Sequence, residues 1–137
     1  MDSVYKLFIE RRVDMYEDRI KWIEHKGKRI LSLDYSGLPI EELTPFQDEL
    51  YKVIIKEELN SIIYLTNVST FKFSMKTLNQ FNQLANITKK YEKGVAIYGA
   101  TGLIKVMYDG FAKLYGKPIK ACNSREEALE WIEKTLF

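Results

Sequence analysis

Four apolar residues in a row, Ile62, Ile63, Tyr64 and Leu65, stand between Asn60 and the polar cluster Asn67 to Thr70, and an amphipathic segment begins soon after at Met75. β-branched and aromatic residues in a short run bounded by turn formers read as a buried strand. A buried strand that feeds a helix is the core of an α/β unit. The other segments must then supply its neighbouring strands and the helices that cover them.

Upstream, Val4 to Glu10 suits either a strand or one turn of helix, and the polar RRVDMYEDR after it reads as a connection. From Arg19 an alternating run puts Ile20, Trp22 and Glu24 on one face, Lys26-Gly27 offers a turn, and Arg29 to Tyr35 continues the pattern as an antiparallel hairpin. Ser36, Gly37, Leu38 and Pro39 break it. A first helix is expected from Thr44, with Thr44 as cap, Pro45 at the first helical position and Gln47 completing a capping box. Its apolar stripe is Phe46, Leu50, Val53 and Ile54, and its end is expected near Asn60. A second helix after Ser74 gathers Leu78, Phe81, Leu84 and Ala85 on one face and is expected to close at Gly94.

Val95 to Tyr98 reads as another short strand, ending at Gly99-Ala100-Thr101-Gly102. In the helix that follows, Leu103, Val106 or Met107, Phe111 and Leu114 keep helical spacing up to Gly116. Pro118 to Cys122 is expected at a sheet edge, because proline cannot complete an interior ladder. The last helix opens at Ser124 with Glu127 at capping-box spacing, and buries Leu129, Trp131 or Ile132, and Leu136. The expected fold class is α/β: a mixed, mostly parallel sheet of about five strands with an N-terminal hairpin and about four helices. One domain over residues 1–137 is expected, with 1–18 as an N-terminal extension or extra strand.

A formal net charge of +2, from 21 basic and 19 acidic residues, is too balanced to supply the clustered positive field that nucleic-acid phosphates require, so nucleic acid is not an expected partner. Cys122 is the single cysteine, which leaves no internal disulfide and no cysteine pair for a metal. The charged N-terminal stretch does not resemble a signal peptide, and no run of ~18 uncharged apolar residues spans a membrane. A cytoplasmic, soluble protein is expected.

Four stretches, IKWIEHKGKRILSLDYSGL (20–38), SIIYLTNVS (61–69), VAIYGATGLIKVMYDGFAKLYGKPIKAC (95–122) and SREEALEWI (124–132), resemble the STAS superfamily of anti-sigma-factor antagonists. The similarity is to its branch of small single-domain bacterial proteins, related in fold to CRAL-TRIO lipid-transfer domains. The resemblance implies a STAS-like fold and a non-enzymatic regulatory module that binds another protein through the loop and helix after the central strand. In phosphorylated members, a serine of an Asp-Ser-Ser-Gly motif at that place is modified by a partner kinase. Ser74 is the matching residue and the switch position the resemblance implies. Here Phe73 replaces the acid and the glycine is missing, so the kinase-recognition loop is not reproduced.

Read from the residues alone, Ser74 at a helix N-terminus would also stabilise a phosphate through free N–H groups and the helix dipole, but plain capping is the favoured account, since serine is among the preferred caps regardless of regulation. Ser69 and Thr70 are alternative hydroxyls in the same loop. Phe71 and Phe73 alternate across it and are expected to face outward, forming with Ser69 and Thr70 a partner-docking corner. Gly99, Thr101 and Gly102 join a strand to a helix, the setting of an anion-binding turn, with Lys105 and Lys113 nearby. They lack both the three-glycine fingerprint and the P-loop lysine, and a tight turn with close helix packing is the alternative account. His25 has no second metal ligand and no nucleophile motif around it, and Asp34 is an unusual acid within a strand that either flanks a groove or faces solvent.

No enzyme activity, cofactor or metal is therefore expected. Two Trp, nine Tyr and seven Phe exceed what a small core demands and are available for a hydrophobic cleft or an interface. The leading expectation is a protein-binding module. The alternative is a carrier of a small apolar or lipid-like ligand in a cleft between sheet and helix, although a chain this short leaves little room for a pocket on the order of several hundred Å³. Homodimerisation through an exposed edge strand is also expected to be open to this architecture.

Overall fold

The computed structural model describes residues 16–137. The strand or helical turn expected at Val4 to Glu10 lies outside them. β1 (Ile20–His25) and β2 (Lys28–Asp34) pair antiparallel, with Ile20 opposite Leu33 and His25 opposite Lys28. Lys26 and Gly27 make the two-residue turn with φ of 50° and 79°, the left-handed region that a tight hairpin needs.

Three crossovers follow. α1 (Leu43–Ile54) leads to β3 (Ile62–Asn67), α2 (Met75–Thr88) to β4 (Glu92–Tyr98), and α3 (Gly102–Ala112) to β5 (Ile119–Cys122). Each new strand is parallel to the one before it, giving the sheet order β1-β2-β3-β4-β5, and α4 (Arg125–Leu136) ends the chain. Crossovers of one hand that always step in the same direction place their helices on the same sheet face. α1, α2 and α3 accordingly share one face and α4 covers the other. This is the expected mixed five-stranded sheet with four helices, with β5 at an edge.

β3 is buried along nearly its whole length because it faces helices on both sides. Ile62, Tyr64 and Val68 belong to the core under the three crossover helices, whereas Ile63 and Leu65 pack with Ala128, Ile132 and Leu136 of α4. The segment preceding β1 joins the first core: Tyr16 is buried, its ring meets Phe46 edge-on at 5.4 Å, and its hydroxyl donates to Glu42 Oε2 at 2.8 Å.

Several boundaries differ from expectation. α1 begins at Leu43, one residue before Thr44, because a 3-10 turn over Ile40–Glu42 runs directly into it. Thr44 is therefore no cap, its hydroxyl instead accepts a bond from Gln80 Nε2 of α2, and Gln47 is buried rather than capping. The helix ends at Ile54, short of Asn60. α2 ends at Thr88, and Gly94 lies inside β4 instead of closing a helix. A Cβ at Gly94 would stand 2.6 Å from both terminal methyls of Leu136, so glycine is what lets α4 approach the sheet.

α3 departs most. Leu103, Val106 and Leu114, three of the residues that keep helical spacing, are 73%, 64% and 89% exposed. Ile104 and Tyr108 are the α3 side chains that pack on the core.

Candidate functional site

Between the sheet and the three crossover helices lies a cavity of about 200 Å³. Its floor is the middle of the sheet, with Leu33, Tyr64, Thr66, Val95 and Ile97 side by side, because in-register parallel pairing aligns Tyr64 with Val95 and Thr66 with Ile97. Its walls are Leu50 and Ile54 of α1, Leu78, Phe81, Leu84 and Ala85 of α2, and Ile104, Met107, Tyr108 and Phe111 of α3. All four residues expected on one face of the second helix thus line it. Six aromatic side chains take part, which is where a share of the aromatic surplus is spent.

The polar groups on this apolar wall are few. Glu92 is buried and accepts a 2.6 Å hydrogen bond from the Tyr115 hydroxyl. It reaches the cavity through an irregularity: β3 and β4 shift register between Ile62 and Ile63, so that Ile62 faces Glu92 but Ile63 faces Gly94. Strict alternation from Ile97 and Val95 would have turned residue 93 inward. The bulge turns Glu92 inward in its place. Desolvation raises the Glu92 carboxyl above its ordinary value, against the hydrogen bond from Tyr115 and the positive charges of Lys117 and Lys89, which act to lower it.

Lys117 donates to the backbone carbonyl of Glu92 at 2.7 Å, and Lys89 Nζ sits 4.6 Å from the centre of the Tyr115 ring. Tyr64 is buried beside this group, and its hydroxyl has no hydrogen-bond partner among the described residues. Burial, with the nearby Glu92 charge, pushes the Tyr64 phenol well above its ordinary value, so it stays a neutral donor and acceptor.

The docking corner does not have the expected geometry. Phe71, expected to face outward, is 7% exposed, and its ring meets Tyr35, Phe73 and Phe81 at centroid distances of 6.1, 4.9 and 5.6 Å. Phe73 is half-buried and also touches Tyr108 of α3 at 6.2 Å. Both rings turn inward because the chain folds back beneath α2, where they exchange water for an aromatic cluster. Thr70 is exposed with φ of 58°, and Ser69 is half-buried, its N–H donating to Asn67 Oδ1. Ser74 caps α2: its hydroxyl accepts from the Thr77 N–H at 3.2 Å while the Thr77 hydroxyl oxygen accepts from the Ser74 N–H at 2.8 Å.

Gly99 packs against Ser69. With φ of +91°, a Cβ there would lie 2.6 Å from the Ser69 backbone nitrogen, so the exits of β3 and β4 touch through it. Gly102 also has positive φ, and Thr101 precedes α3 without a side-chain cap bond. Lys105 donates to Asn123 Oδ1, and Lys113 is exposed. Asp34 closes its own turn, accepting from both the N–H and the hydroxyl of Ser36. His25 is paired with Glu133 of α4 at 2.5 Å, on the sheet face opposite the cavity, where Lys26 also reaches Glu133 at 3.0 Å. The hydrogen bonds from His25 and Lys26 hold the Glu133 carboxyl below its ordinary value.

Sequence reading missed the Tyr64, Glu92 and Tyr115 group. Glu92, an acid two residues before Gly94, where a helix end is expected, is the available signal. Among the described residues no three His, Cys, Asp or Glu are grouped to hold a metal ion, and no helix is long and apolar enough to cross a membrane.

No family model matches the chain, and no curated protein does. Among solved structures, an uncharacterised protein of the DUF3478 family with a SpoIIAA-like fold, from Shewanella loihica PV-4, is similar with a TM-score of 0.69. The two share 18% identity over 82% of this chain and 90% of that one. The fold is thus SpoIIAA-like, the architecture that the STAS resemblance implies.

Proposed function

We propose that this protein is a non-enzymatic binding module that takes one small, largely apolar molecule carrying a hydroxyl or carbonyl oxygen into the cavity between the sheet and α1, α2 and α3. The observation that carries the reading is the buried Tyr64 hydroxyl, which faces an apolar cavity without a partner among the described residues. A buried hydroxyl left unpaired is unfavourable, so a ligand oxygen at that place gains a hydrogen bond that the empty protein lacks. Glu92 and Tyr115 add a second polar contact beside it, and the remaining wall rewards apolar surface.

The volume sets the ligand class. About 200 Å³ suits a single-ring aromatic alcohol or a short-chain alcohol and is too small for a two-chain lipid. The single histidine, His25, pairs with Glu133 on the far side of the sheet, so the cavity assembles no trio of nucleophile, imidazole and acid, which supports a binding role. Docking of another protein on the corner after β3 loses its two apolar anchors, because Phe71 and Phe73 turn inward.

Native mass spectrometry and thermal shift with phenol, benzyl alcohol and 1-octanol test the reading. At least one probe should be retained one to one and raise the melting temperature, and Ala85→Phe, which fills the cavity, should abolish both effects. No retention and no shift with any of the three, or undiminished binding by the Ala85→Phe protein, would overturn it.

A further inference from the structure

We propose that the outward faces of α2 and α3 form a docking surface for an anionic lipid bilayer. On α3, Leu103 and Val106 are the most exposed apolar side chains, and Leu114, 89% exposed, follows in the turn just past the end of the helix. On α2, Met75 at 74% adds one more, whereas Ile87 at 56% faces the groove between α2 and α1. Water-facing apolar residues at helical spacing beside a second such helix are what an interfacial element presents when it lies in the plane of a membrane.

Charge selects the partner. Between Val68 and Lys120 the chain has nine lysines, at 72, 76, 89, 90, 93, 105, 113, 117 and 120, against two acids, Glu92 and Asp109. One of the acids, Glu92, is buried in the cavity. This segment thus holds an excess of seven positive charges in a chain whose formal net charge is +2. None of the nine lysines forms an ion pair among the described residues. Lys89 rests over a tyrosine ring, while Lys105 and Lys117 donate to neutral oxygens, so their charges are held in place without being cancelled.

Lys72 and Lys76 stand at the start of α2 and Lys113 just past the end of α3, so the apolar side chains are flanked by positive charge at both ends of the helix pair. A second copy of this chain would bring like charges together. Anionic headgroups complement them, and acyl chains take up the leucine and valine side chains. The inference is independent of what fills the cavity.

Co-sedimentation with vesicles decides it. Binding to vesicles of phosphatidylglycerol and phosphatidylcholine should be at least tenfold stronger than to phosphatidylcholine alone, and should fall at least tenfold in high salt. A protein carrying Leu103→Gln, Val106→Gln and Leu114→Gln should lose at least tenfold while its thermal unfolding is unchanged, because the three side chains touch little of the folded protein. A protein carrying Lys72→Glu, Lys76→Glu and Lys113→Glu should lose the preference for the anionic vesicles. No binding to anionic vesicles at low salt, equal binding by the apolar triple variant, or a dimer that this variant dissolves without any vesicle binding would overturn the proposal.

Discussion

The Tyr115 hydroxyl, just beyond the end of α3, reaches back to donate a 2.6 Å hydrogen bond to Oε2 of Glu92, at the first position of β4. Residues 23 positions apart thereby close the crossover that carries α3. The bond fixes one edge of the cavity and holds a carboxyl where water cannot solvate it.

That carboxyl should make stability depend on pH. Burial raises its value above the ordinary 4.5, so over the interval between the two the folded chain keeps a proton that the unfolded chain has released. Stability from this group is fully present below the ordinary value and is lost as pH rises through the raised one. In Glu92→Gln, whose amide oxygen can still accept from Tyr115, that loss should disappear. Denaturation midpoints from about pH 4 to pH 8 should decline less in the variant than in the parent. Identical slopes would refute the assignment.

Tyr64→Phe should behave oppositely in the empty and filled protein. Removing an unpaired buried hydroxyl should leave the empty protein equally stable or more stable by about 1 kcal/mol in urea denaturation. Affinity for an alcohol probe should fall by about tenfold, the worth of one hydrogen bond. A variant with lower stability and unaltered affinity would show that the hydroxyl serves the fold instead.

Two glycines should respond to alanine in a set order. Gly99→Ala combines positive φ with a collision against Ser69 backbone, which cannot rotate away, and should destabilise by about 2–4 kcal/mol. Gly94→Ala meets only the Leu136 side chain and should cost about 1–3 kcal/mol. Equilibrium unfolding of both variants checks the order, and a harmless Gly99→Ala would mean that the β3 and β4 exits do not touch.

Phe71→Ala should lower stability by about 3–5 kcal/mol, because its ring is enclosed by Tyr35, Phe73 and Phe81. A surface anchor would give a change within about 0.5 kcal/mol. Thermal or urea unfolding distinguishes the two outcomes directly.

Much of the architecture was legible in the residues. The hairpin at Lys26-Gly27, the β3 strand, the Ser74 cap and the edge position of β5 follow from local rules: turn chemistry, period and the missing donor of proline. Helix ends were less legible at Thr44 and Gly94. A 3-10 turn can replace a cap, and glycine serves a close approach between elements as readily as it ends a helix.

By itself the sequence determined which segments are strands and helices, because those choices depend on neighbours a few positions away, whereas the order of the strands in the sheet came from long-range pairing. Only the tertiary structure decided which side of α3 faces in. α3 has apolar residues on two sides, Ile104 and Tyr108 on one and Leu103 and Val106 on the other, with Leu114 exposed in the turn beyond it, and periodicity cannot rank two apolar sides. A single bulge likewise turned Glu92 into the cavity, since the pairing of β4 with β3, and not the composition of β4, sets where alternation slips.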